Sequence, residues 1–311
     1  MKNVQLFLLA WLIIGGLVYA QGTTGELHGI VKTADGQIIP GAMVTAAHAN
    51  GQKKIAMTNE NGKFKLANLA PGVYTVTVEL EGFKKATQKD VQVNLSKVTT
   101  LNIGLQLGTI NENITVEGKA AAVDIVNSSV STNIDKQFFD GLPKNRGYQS
   151  FIMMAPSVQE DPFGQSFGGA TGAENMFVVD GVNVTDVELG GGADTKTTNV
   201  VYEFIEEVEV KNGGYEAEYA GALGGVVNII TKSGGNEYHG SVIANYASES
   251  FVGDREITYW GAGAIDSDTQ YDLGFGMGGY IIKDKLWFFA AATPTFRTRE
   301  WDVTNVYTGQ N

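Results

Sequence analysis

The sequence contains no cysteine, few prolines and fewer basic than acidic residues. Without cysteine the chain cannot form disulfides, use a thiol nucleophile or bind zinc through sulfur. Its 22 lysines and arginines are outnumbered by 34 aspartates and glutamates, which leaves a formal net charge of −12. Binding along a phosphate backbone needs clustered positive charge. We therefore expect no nucleic-acid partner.

Sequence patterns for metal or phosphate chemistry are scarce as well. The chain has no H-E-x-x-H motif and no phosphate-binding loop, and Asp180 and Asp186 lack the ligand spacing of an EF-hand. The three histidines, His28, His48 and His239, are far apart and fall in predicted strands or at their edges. We expect no enzymatic activity, no catalytic residue, no bound metal and no cofactor.

One long apolar run occurs, and it lies at the N-terminus. Lys2 precedes an apolar core at residues 6–18, and residues 18–20 read Val-Tyr-Ala, which has small residues where a signal peptidase needs them. Residues 1–20 therefore read as a secretory signal peptide that leaves Gln21 first after cleavage. The alternative is a membrane anchor, but a spanning helix needs ~20 apolar residues.

Short strands and tight turns fill residues 21–107. Turn dipeptides stand at residues 35–36 and 61–62, and valines alternate with polar residues over residues 73–78, which favours a small β-sandwich. The blocks "GIVKTADGQIIPGAMVTA", "TNENGKFKLANLAPGVYTVTVELEGF" and "VQVNLSKVTTLNIGL" resemble the carboxypeptidase regulatory-like domain. In carboxypeptidases that module is not the catalytic domain, so the resemblance implies no peptidase activity.

Residues 174–235 hold three ordered blocks of strand and turn signals. The dipeptide Asp180-Gly181 favours a type I′ hairpin turn, because both central positions of that turn need positive φ. Residues 207–211 alternate between charged and apolar side chains, as in a half-buried strand, and glycines precede the β-branched run at residues 226–231. The pattern indicates a small, glycine-hinged α+β domain.

The same three blocks resemble the plug domain of TonB-dependent outer-membrane receptors. "FVVDGVNV" and "IEEVEVKNGGYEAEYAGALGGVVNIITKSG" occur in the order of that family, although "EYAGA" replaces a common "LYG" step and "KNG" a common "KGP" turn. The resemblance implies a plug at residues 132–235. Its motif residues here are Asp180, Gly181, Val182, Gly224, Gly225, Asn228, Thr231 and Lys232.

Within this plug region the sequence predicts several local features. A short helix is expected over residues 134–143, and a second one, capped by Asn145, runs to Met154. Residues 160–172 are predicted to be a glycine-rich loop. The predicted core of the second helix comprises Phe151, Ile152, Met153 and Met154. The predicted solvated strand face comprises Glu206, Glu207 and Glu209.

Residues 108–131 link the two domains and contain a candidate TonB box. This is a short extended segment that would pair edge-on with TonB, using backbone hydrogen bonds for affinity. Its residues are Glu112, Asn113, Ile114, Thr115, Val116 and Glu117. The segment lies just before the plug, as the resemblance requires. The alternative is that it simply forms a strand of a neighbouring domain.

From residue 236 to residue 311 the pattern changes to long alternating strands. Residues 271, 273, 275 and 277 are apolar and alternate with aspartate and glycine, a pattern typical of transmembrane β-strands. A tight turn is expected at residues 283–285 and a long outer loop, containing Asp266 and Asp268, at residues 247–270. A soluble sheet with one buried face would show the same alternation.

The number of such strands is small for a receptor of this class. Receptors of this kind close about 22 strands, whereas about three fit after the plug. An open sheet edge cannot lie in lipid with its backbone unpaired. We therefore expect this chain to be the N-terminal piece of a longer receptor, unable to insert by itself.

Together these features predict a mixed β and α+β chain. It comprises an N-terminal Ig-like β-sandwich, an α+β plug domain and the first strands of a truncated transmembrane β-barrel. The resemblance implies an Oar-like or SusC-like receptor in the outer membrane of a Gram-negative bacterium, with sandwich and plug on the periplasmic side. Its function would be energy-coupled uptake of a scarce nutrient such as a glycan, peptide or metal chelate.

The partners that this resemblance implies are TonB with its inner-membrane energising complex, outer-membrane lipid, a small ligand and a surface lipoprotein. The alternative function is an outer-membrane adhesion or surface-organisation protein that binds a partner without transport. Deleting residues 112–117 distinguishes these functions, since only transport depends on the TonB box.

Overall fold

The computed structural model describes residues 23–108, 113–116, 130–135, 138, 147–185, 201–215, 217–251 and 264–302. The predicted signal peptide at residues 1–20 lies outside the described residues. The chain divides into two compact units, Met1–Lys232 and Ser233–Asn311. Strands dominate both units. In the described part of the chain, no helix is long and apolar enough to cross a membrane.

The first unit begins with a β-sandwich of two sheets. One sheet has the strand order β4-β1-β7 and the other the order β3-β2-β5-β6-β8. The strands are β1 Gly25–Thr33, β2 Met43–His48, β3 Lys53–Met57, β4 Lys63–Leu69, β5 Gly72–Glu79, β6 Lys85–Val93, β7 Val98–Leu105 and β8 Asn113–Val116.

The sandwich core follows from the two-residue alternation of its strands. In β5 the side chains of Tyr74, Val76 and Val78 are buried, while the threonines between them are partly exposed. Leu27 and Val31 of β1 join the same core from the facing sheet. The predicted alternation holds from Tyr74 to Val78, whereas Val73 lies with the threonines on the partly exposed face rather than with the other valines. Burying one apolar face of each sheet against the other provides the main stabilisation.

A further sheet follows the two sandwich sheets in the same unit and has the order β13-β12-β15-β14-β9. We call it the middle sheet. The elements of this sheet and of the segments around it are β9 Val130–Asp135, α1 Gln149–Ile152, β10 Val158–Asp161, β11 Gly164–Phe167, β12 Met176–Val179, β13 Val182–Asn183, β14 Ile205–Gly213 and β15 Val226–Thr231. Short 3-10 helices lie at Gly172–Glu174, Tyr202–Phe204 and Ala217–Tyr219. β12 and β15 pair in parallel, and the other pairs are antiparallel.

One face of the middle sheet packs on an apolar core. Val208 and Val210 of β14 lie in this core together with Phe151 and Ile152 of α1. The predicted second helix is shorter than expected, and Met153 and Met154 are exposed rather than core residues. α1 ends with the buried pair Phe151 and Ile152, and the chain turns there so that Met153 and Met154 point away from the core before Ala155 returns to it.

Two further local predictions for this region are wrong. Ile134, expected in a helix, lies in β9 opposite Val208 of β14, because sheet pairing overrides the local helix signal. The expected loop at residues 160–172 contains the hairpin β10–β11, in which Glu160 pairs with Gln165. Gly164 lies at the start of β11 with a φ of 122°, so glycine closes this hairpin rather than loosening a loop.

The second unit is an antiparallel sheet around one long strand. β17 Ala264–Ile282 pairs with β16 His239–Ser248 on one side and with β18 Leu286–Ala292 and β19 Thr295–Asp302 on the other. A short 3-10 helix, Glu249–Phe251, follows β16. The predicted turn at residues 283–285 is confirmed, with Asp284 at a φ of 62°.

The two faces of β17 differ as the sequence predicts. Leu273 and Phe275 are more than half exposed, whereas Gly274 and Gly276 are buried. Asp266 and Asp268, both predicted in an outer loop, instead lie in β17. Asp268 accepts hydrogen bonds from Arg297 and Arg299 of β19. The strand therefore runs further than its apolar alternation indicates.

Candidate functional site

The motif residues that the sequence singles out lie on neighbouring strands of the middle sheet. Asp180 and Gly181 form the turn between β12 and β13, with φ values of 48° and 81°. The Asp180 carboxylate accepts hydrogen bonds from the backbone N–H of Thr231 at 2.9 Å and from its hydroxyl at 2.7 Å. Two motif blocks far apart in sequence are thus joined directly. Val182, just after the turn, is exposed.

Lys232 connects the end of β15 to the segment before β14. Its ammonium group donates a hydrogen bond to the backbone carbonyl of Glu203, and its backbone N–H donates to the carbonyl of Phe204. These contacts hold the start of β14 against the end of β15, where the two strands of the motif meet.

The glycine step before β15 is required by close packing. The backbone N–H of Gly225 donates to the Asn175 side-chain oxygen at 3.0 Å. A Cβ atom at Gly225 would lie 2.7 Å from the Phe167 ring, and one at Gly224 would lie 2.4 Å from the Asn175 oxygen. These distances are too short for any side chain. The glycines therefore allow β15 to approach the β10–β11 hairpin.

Polar side chains form a buried row across the second face of the middle sheet. Glu209 of β14 lies directly between Asn133 of β9 and Asn228 of β15. Asn228 is fully buried, and within the described ranges neither its side-chain nitrogen nor its oxygen has a hydrogen-bond partner. Burying such a group without a partner costs about 1–3 kcal/mol. The sheet is therefore not optimised for stability at this position.

A buried ion pair continues this polar row. The Lys211 ammonium lies 3.9 Å from a Glu209 carboxylate oxygen, and both side chains are about 1% exposed. The same ammonium lies 4.8 Å from the centre of the Tyr219 ring. The attraction within a buried ion pair offsets little more than the cost of removing both charges from water. Removing one partner, however, would leave an uncompensated buried charge.

The turn between β6 and β7 of the sandwich docks on this polar face. The backbone N–H of Leu95 donates to both carboxylate oxygens of Glu207 at 3.1 Å, and the Asn133 amide donates to one of them at 2.6 Å. The hydroxyl of Ser96 donates to Glu209 at 3.1 Å. Leu95 itself is fully buried. Sandwich and middle sheet are thus joined by a specific polar contact.

The prediction that this face of β14 is solvated is therefore wrong for Glu207 and Glu209, which are both buried. Glu206 remains partly exposed. Burial raises the pKa of Glu207 to about 8, against the opposing effect of the hydrogen bonds from Asn133 and Leu95; the neighbouring Glu209 and Asp135 carboxylates raise it further. Glu207 is thus a carboxyl group that the fold holds toward its protonated form.

Leu95, Ser96 and Asn133 are the contact residues that the sequence does not single out. A weak signal exists, because Leu95 is an apolar residue in an otherwise polar turn between two strands. Such a residue is expected to find an apolar or covered environment. Its partner cannot be read from the chain, since Leu95 and Glu207 are 112 positions apart.

The candidate TonB box forms the outermost strand of the larger sandwich sheet. β8, Asn113–Val116, pairs in parallel with β6 over four residues, from Lys85 opposite Asn113 to Gln88 opposite Val116. Its flanking residues Glu112 and Glu117 lie outside the described residues. The segment is extended, and in the sheet order it has a neighbour on one side only.

The expectation that the chain has no G-x-S-x-G pattern is wrong, because residues 164–168 read Gly-Gln-Ser-Phe-Gly. This pattern does not have the geometry of a nucleophile elbow. Such an elbow places its serine on a sharp turn between a strand and a helix. Ser166 lies instead within β11, directly opposite Gln159 of β10. The three histidines lie in β1, at the end of β2 and at the start of β16. Among the described residues, no group of three acidic or histidine side chains could hold a metal.

Comparison with known proteins places the chain among larger relatives. A sequence profile described as Carboxypeptidase regulatory-like domain matches residues 26–106. The chain is 30% identical over 310 residues to the TonB-dependent transporter Oar of Myxococcus xanthus, covering 95% of this chain and 29% of that protein. It is 38% identical over 171 residues to the probable TonB-dependent siderophore receptor PirA of Acinetobacter baumannii, covering 49% of this chain and 21% of that one.

A solved structure is similar to part of the chain. The crystal structure of the siderophore receptor PirA from Acinetobacter baumannii matches with a TM-score of 0.42 and 26% sequence identity. The match covers 53% of this chain and 24% of that one. The chain thus spans less than a third of the length of each of these relatives.

Proposed function

Since the chain belongs to the TonB-dependent receptors, we propose that it is the N-terminal part of an energy-coupled outer-membrane transporter. In this proposal residues 132–235, which hold most of the middle sheet, form the plug. The second unit supplies the first barrel strands, and the sandwich is a periplasmic regulatory-like domain. The protein acts as a receptor and not as an enzyme. Its cargo is a scarce nutrient: a glycan, a peptide or a metal chelate.

The observation that carries this proposal is the extended segment Asn113–Val116 at a sheet edge, just before the middle sheet. An extended backbone is the form that strand addition recognises, because the partner pairs with backbone N–H and C=O groups. TonB, driven by the inner-membrane energising complex, would pull on residues 112–117. The pull would rearrange the plug that follows.

The polar face of the middle sheet supports a plug that can rearrange. Glu209, Lys211 and Asn228 occupy positions where a sheet built only for stability would place apolar side chains. Buried ionic and amide groups contribute little net stability, since their desolvation offsets their attraction. Contacts on this face can therefore separate at a smaller cost than a hydrocarbon core.

The second unit supports assignment as barrel strands in outer-membrane lipid. An aromatic row crosses its strands, with Tyr246 opposite Tyr271 and Tyr271 opposite Phe296, and all three side chains are exposed. Glycines and Asp272 occupy the opposite, buried face of β17. An apolar face flanked by aromatics opposite a small or polar face is the pattern of a transmembrane β-strand.

The relatives of this chain carry the names of a siderophore receptor and of the transporter Oar. These names favour small-molecule uptake over adhesion. A surface lipoprotein would be a further partner in the glycan or peptide case. The second candidate function, adhesion or surface organisation without transport, would use the exposed sandwich surface and would not need TonB.

The test of TonB coupling is a binding measurement on the chain in detergent. The variant Ile114→Pro removes a backbone N–H from β8, whereas the control Ile114→Val keeps it. We expect the purified periplasmic domain of TonB to bind wild type and Ile114→Val alike and to lose binding to Ile114→Pro. Equal binding of all three chains would show that residues 112–117 are not the TonB-binding segment.

A further inference from the structure

A lysine, a glutamate and an asparagine lie together on the polar face of the middle sheet, and all three are buried. Glu209 of β14 is the register partner of Asn228 of β15, and Lys211 is the partner of Val226. Lys211 therefore lies on the same face as Glu209 and is the diagonal neighbour of Asn228. Such neighbours are ~7–8 Å apart, within reach of a long side chain. The pairing of β14 with β15 thus brings an amine, a carboxylate and an amide together.

The lysine side chain is directed toward the row that holds the other two groups. Its ammonium lies 3.9 Å from Oε1 of Glu209, the residue directly opposite Asn228. The other carboxylate oxygen, Oε2, accepts a hydrogen bond from the Ser96 hydroxyl at 3.1 Å. A lysine becomes nucleophilic when it is desolvated next to a base, and that base is in turn oriented by a third group. Lys211, Glu209 and Ser96 can fill these three roles.

The asparagine supplies the group that such a nucleophile attacks. Asn228 is fully buried, and among the residues that the structure describes neither atom of its amide has a hydrogen-bond partner. Val178 is its register partner on β12, and Val226 lies two positions before it on the same face. Both valines belong to a buried apolar cluster with Tyr219 and Ala222. Apolar walls exclude the water that would otherwise compete for the amide.

We propose that Lys211 and Asn228 join in an isopeptide bond that crosslinks β14 to β15, with Glu209 as the base. Glu209 takes a proton from the Lys211 ammonium, and the neutral amine attacks Cγ of Asn228 to form a carbon–nitrogen bond. The bond between Cγ and Nδ2 breaks. Glu209 gives its proton to the leaving nitrogen and takes one from the attacking nitrogen, so that one molecule of ammonia departs. The reaction consumes no oxidant and no other reactant.

Burial favours the product of this reaction. An ammonium carries three N–H donors and an amide nitrogen two, whereas the new linkage carries a single N–H. Each buried donor without a partner costs about 1–3 kcal/mol. The reaction also removes the buried charges of Lys211 and Glu209, because the second proton stays on the carboxylate. The folded chain therefore provides both the geometry for the bond and a reason for it to persist.

The bond would close residues 211–228 into a covalent ring that includes the glycine step before β15. If residues 132–235 act as the plug, which rests on the proposed function, a pull along the chain would move β14 and β15 as one unit. The sandwich turn at Leu95 and Ser96 is outside the ring. It would still be able to separate from the polar face.

The test is mass spectrometry of the whole chain, purified in detergent and then fully denatured. The bond makes the chain lighter by one molecule of ammonia. Cleavage after glutamate releases residues 210–216 and residues 219–237 as separate peptides, whereas the bond keeps them joined as one branched peptide. We expect the lower mass and the branched peptide from wild type. The control Lys54→Arg, at an exposed lysine of the sandwich, should give the same two results.

Three variants each remove one participant. Lys211→Arg removes the amine, Asn228→Leu the amide and Glu209→Gln the base, and each should lack both the ammonia loss and the branched peptide. Wild-type chain at full mass, with its two peptides recovered separately, would overturn the bond even where a variant fails to fold. Ammonia loss that persists in Lys211→Arg would place the loss elsewhere and overturn it too. None of these results depends on TonB, so the bond and the proposed function can fail independently.

Discussion

Replacing Glu207 by glutamine should remove a pH dependence from the stability of this chain. The wild-type carboxyl is buried against the β6–β7 turn, and its pKa rises from 4.5 to about 8 on folding. The native chain therefore holds the proton more tightly than the unfolded chain. The stability that this proton provides is fully present below pH 4.5 and is lost as pH rises through about 8.

The magnitude follows from the size of the shift. One pKa unit corresponds to about 1.4 kcal/mol, so the free energy of unfolding should fall by about 2–3 kcal/mol between pH 6 and pH 9 through this group alone. Glutamine is neutral at both pH values and keeps an oxygen for the Leu95 N–H. The free energy of unfolding of the Glu207→Gln chain should therefore not show this decrease of about 2–3 kcal/mol between pH 6 and pH 9.

The assay is urea unfolding followed by circular dichroism at pH 6 and pH 9. Glu60→Gln, at an exposed position of the sandwich, is the matched control and should behave as wild type. The comparison between variants cancels the titration of all other groups. If wild type, Glu60→Gln and Glu207→Gln lose the same free energy between the two pH values, Glu207 is not held in its protonated form.

Two further predictions concern packing and lipid contact. Gly225→Ala should lower the free energy of unfolding by about 1–3 kcal/mol, because its Cβ would meet the Phe167 ring. The control Gly213→Ala, on β14 with open space around it, should be nearly neutral. Similar thermal unfolding midpoints for the two variants would contradict the packing described. Leu273→Lys, made within the complete receptor, should reduce recovery of that receptor in the outer-membrane fraction, at a cost of about 2–4 kcal/mol at the bilayer midplane. Ser241→Lys in the same receptor, on the other face of the sheet, should not reduce it. Equal recovery of the two variants would contradict a lipid-facing surface.

Local chemistry made part of this fold predictable. The Asp180-Gly181 turn depends on two residues that tolerate positive φ, and the alternation of β5 and β17 depends on side chains two positions apart. Such signals lie within a few residues of each other. The contact between Asp180 and Thr231, by contrast, follows only from the parallel pairing of β12 with β15.

Long-range contacts explain what the sequence did not predict. Alternation in β14 distinguishes its two faces, but it does not show that a turn from another sheet covers the charged one. Glu207 is buried because Leu95 reaches it from the sandwich. Likewise, Ile134 lies in a strand because β14 is its neighbour. The position of residues 113–116 depends on an edge of β6 that no local signal identifies.

The most direct test of the central claim is uptake by cells that carry the chain within its complete receptor, with and without residues 112–117. Candidate cargoes are a ferric siderophore, an oligosaccharide and an oligopeptide, each radiolabelled, and surface level is measured in parallel by antibody binding. Energy-coupled transport predicts that the cargo taken up by wild-type cells is lost in the deletion variant at unchanged surface level. Uptake that persists in the deletion variant would contradict a TonB-coupled transporter.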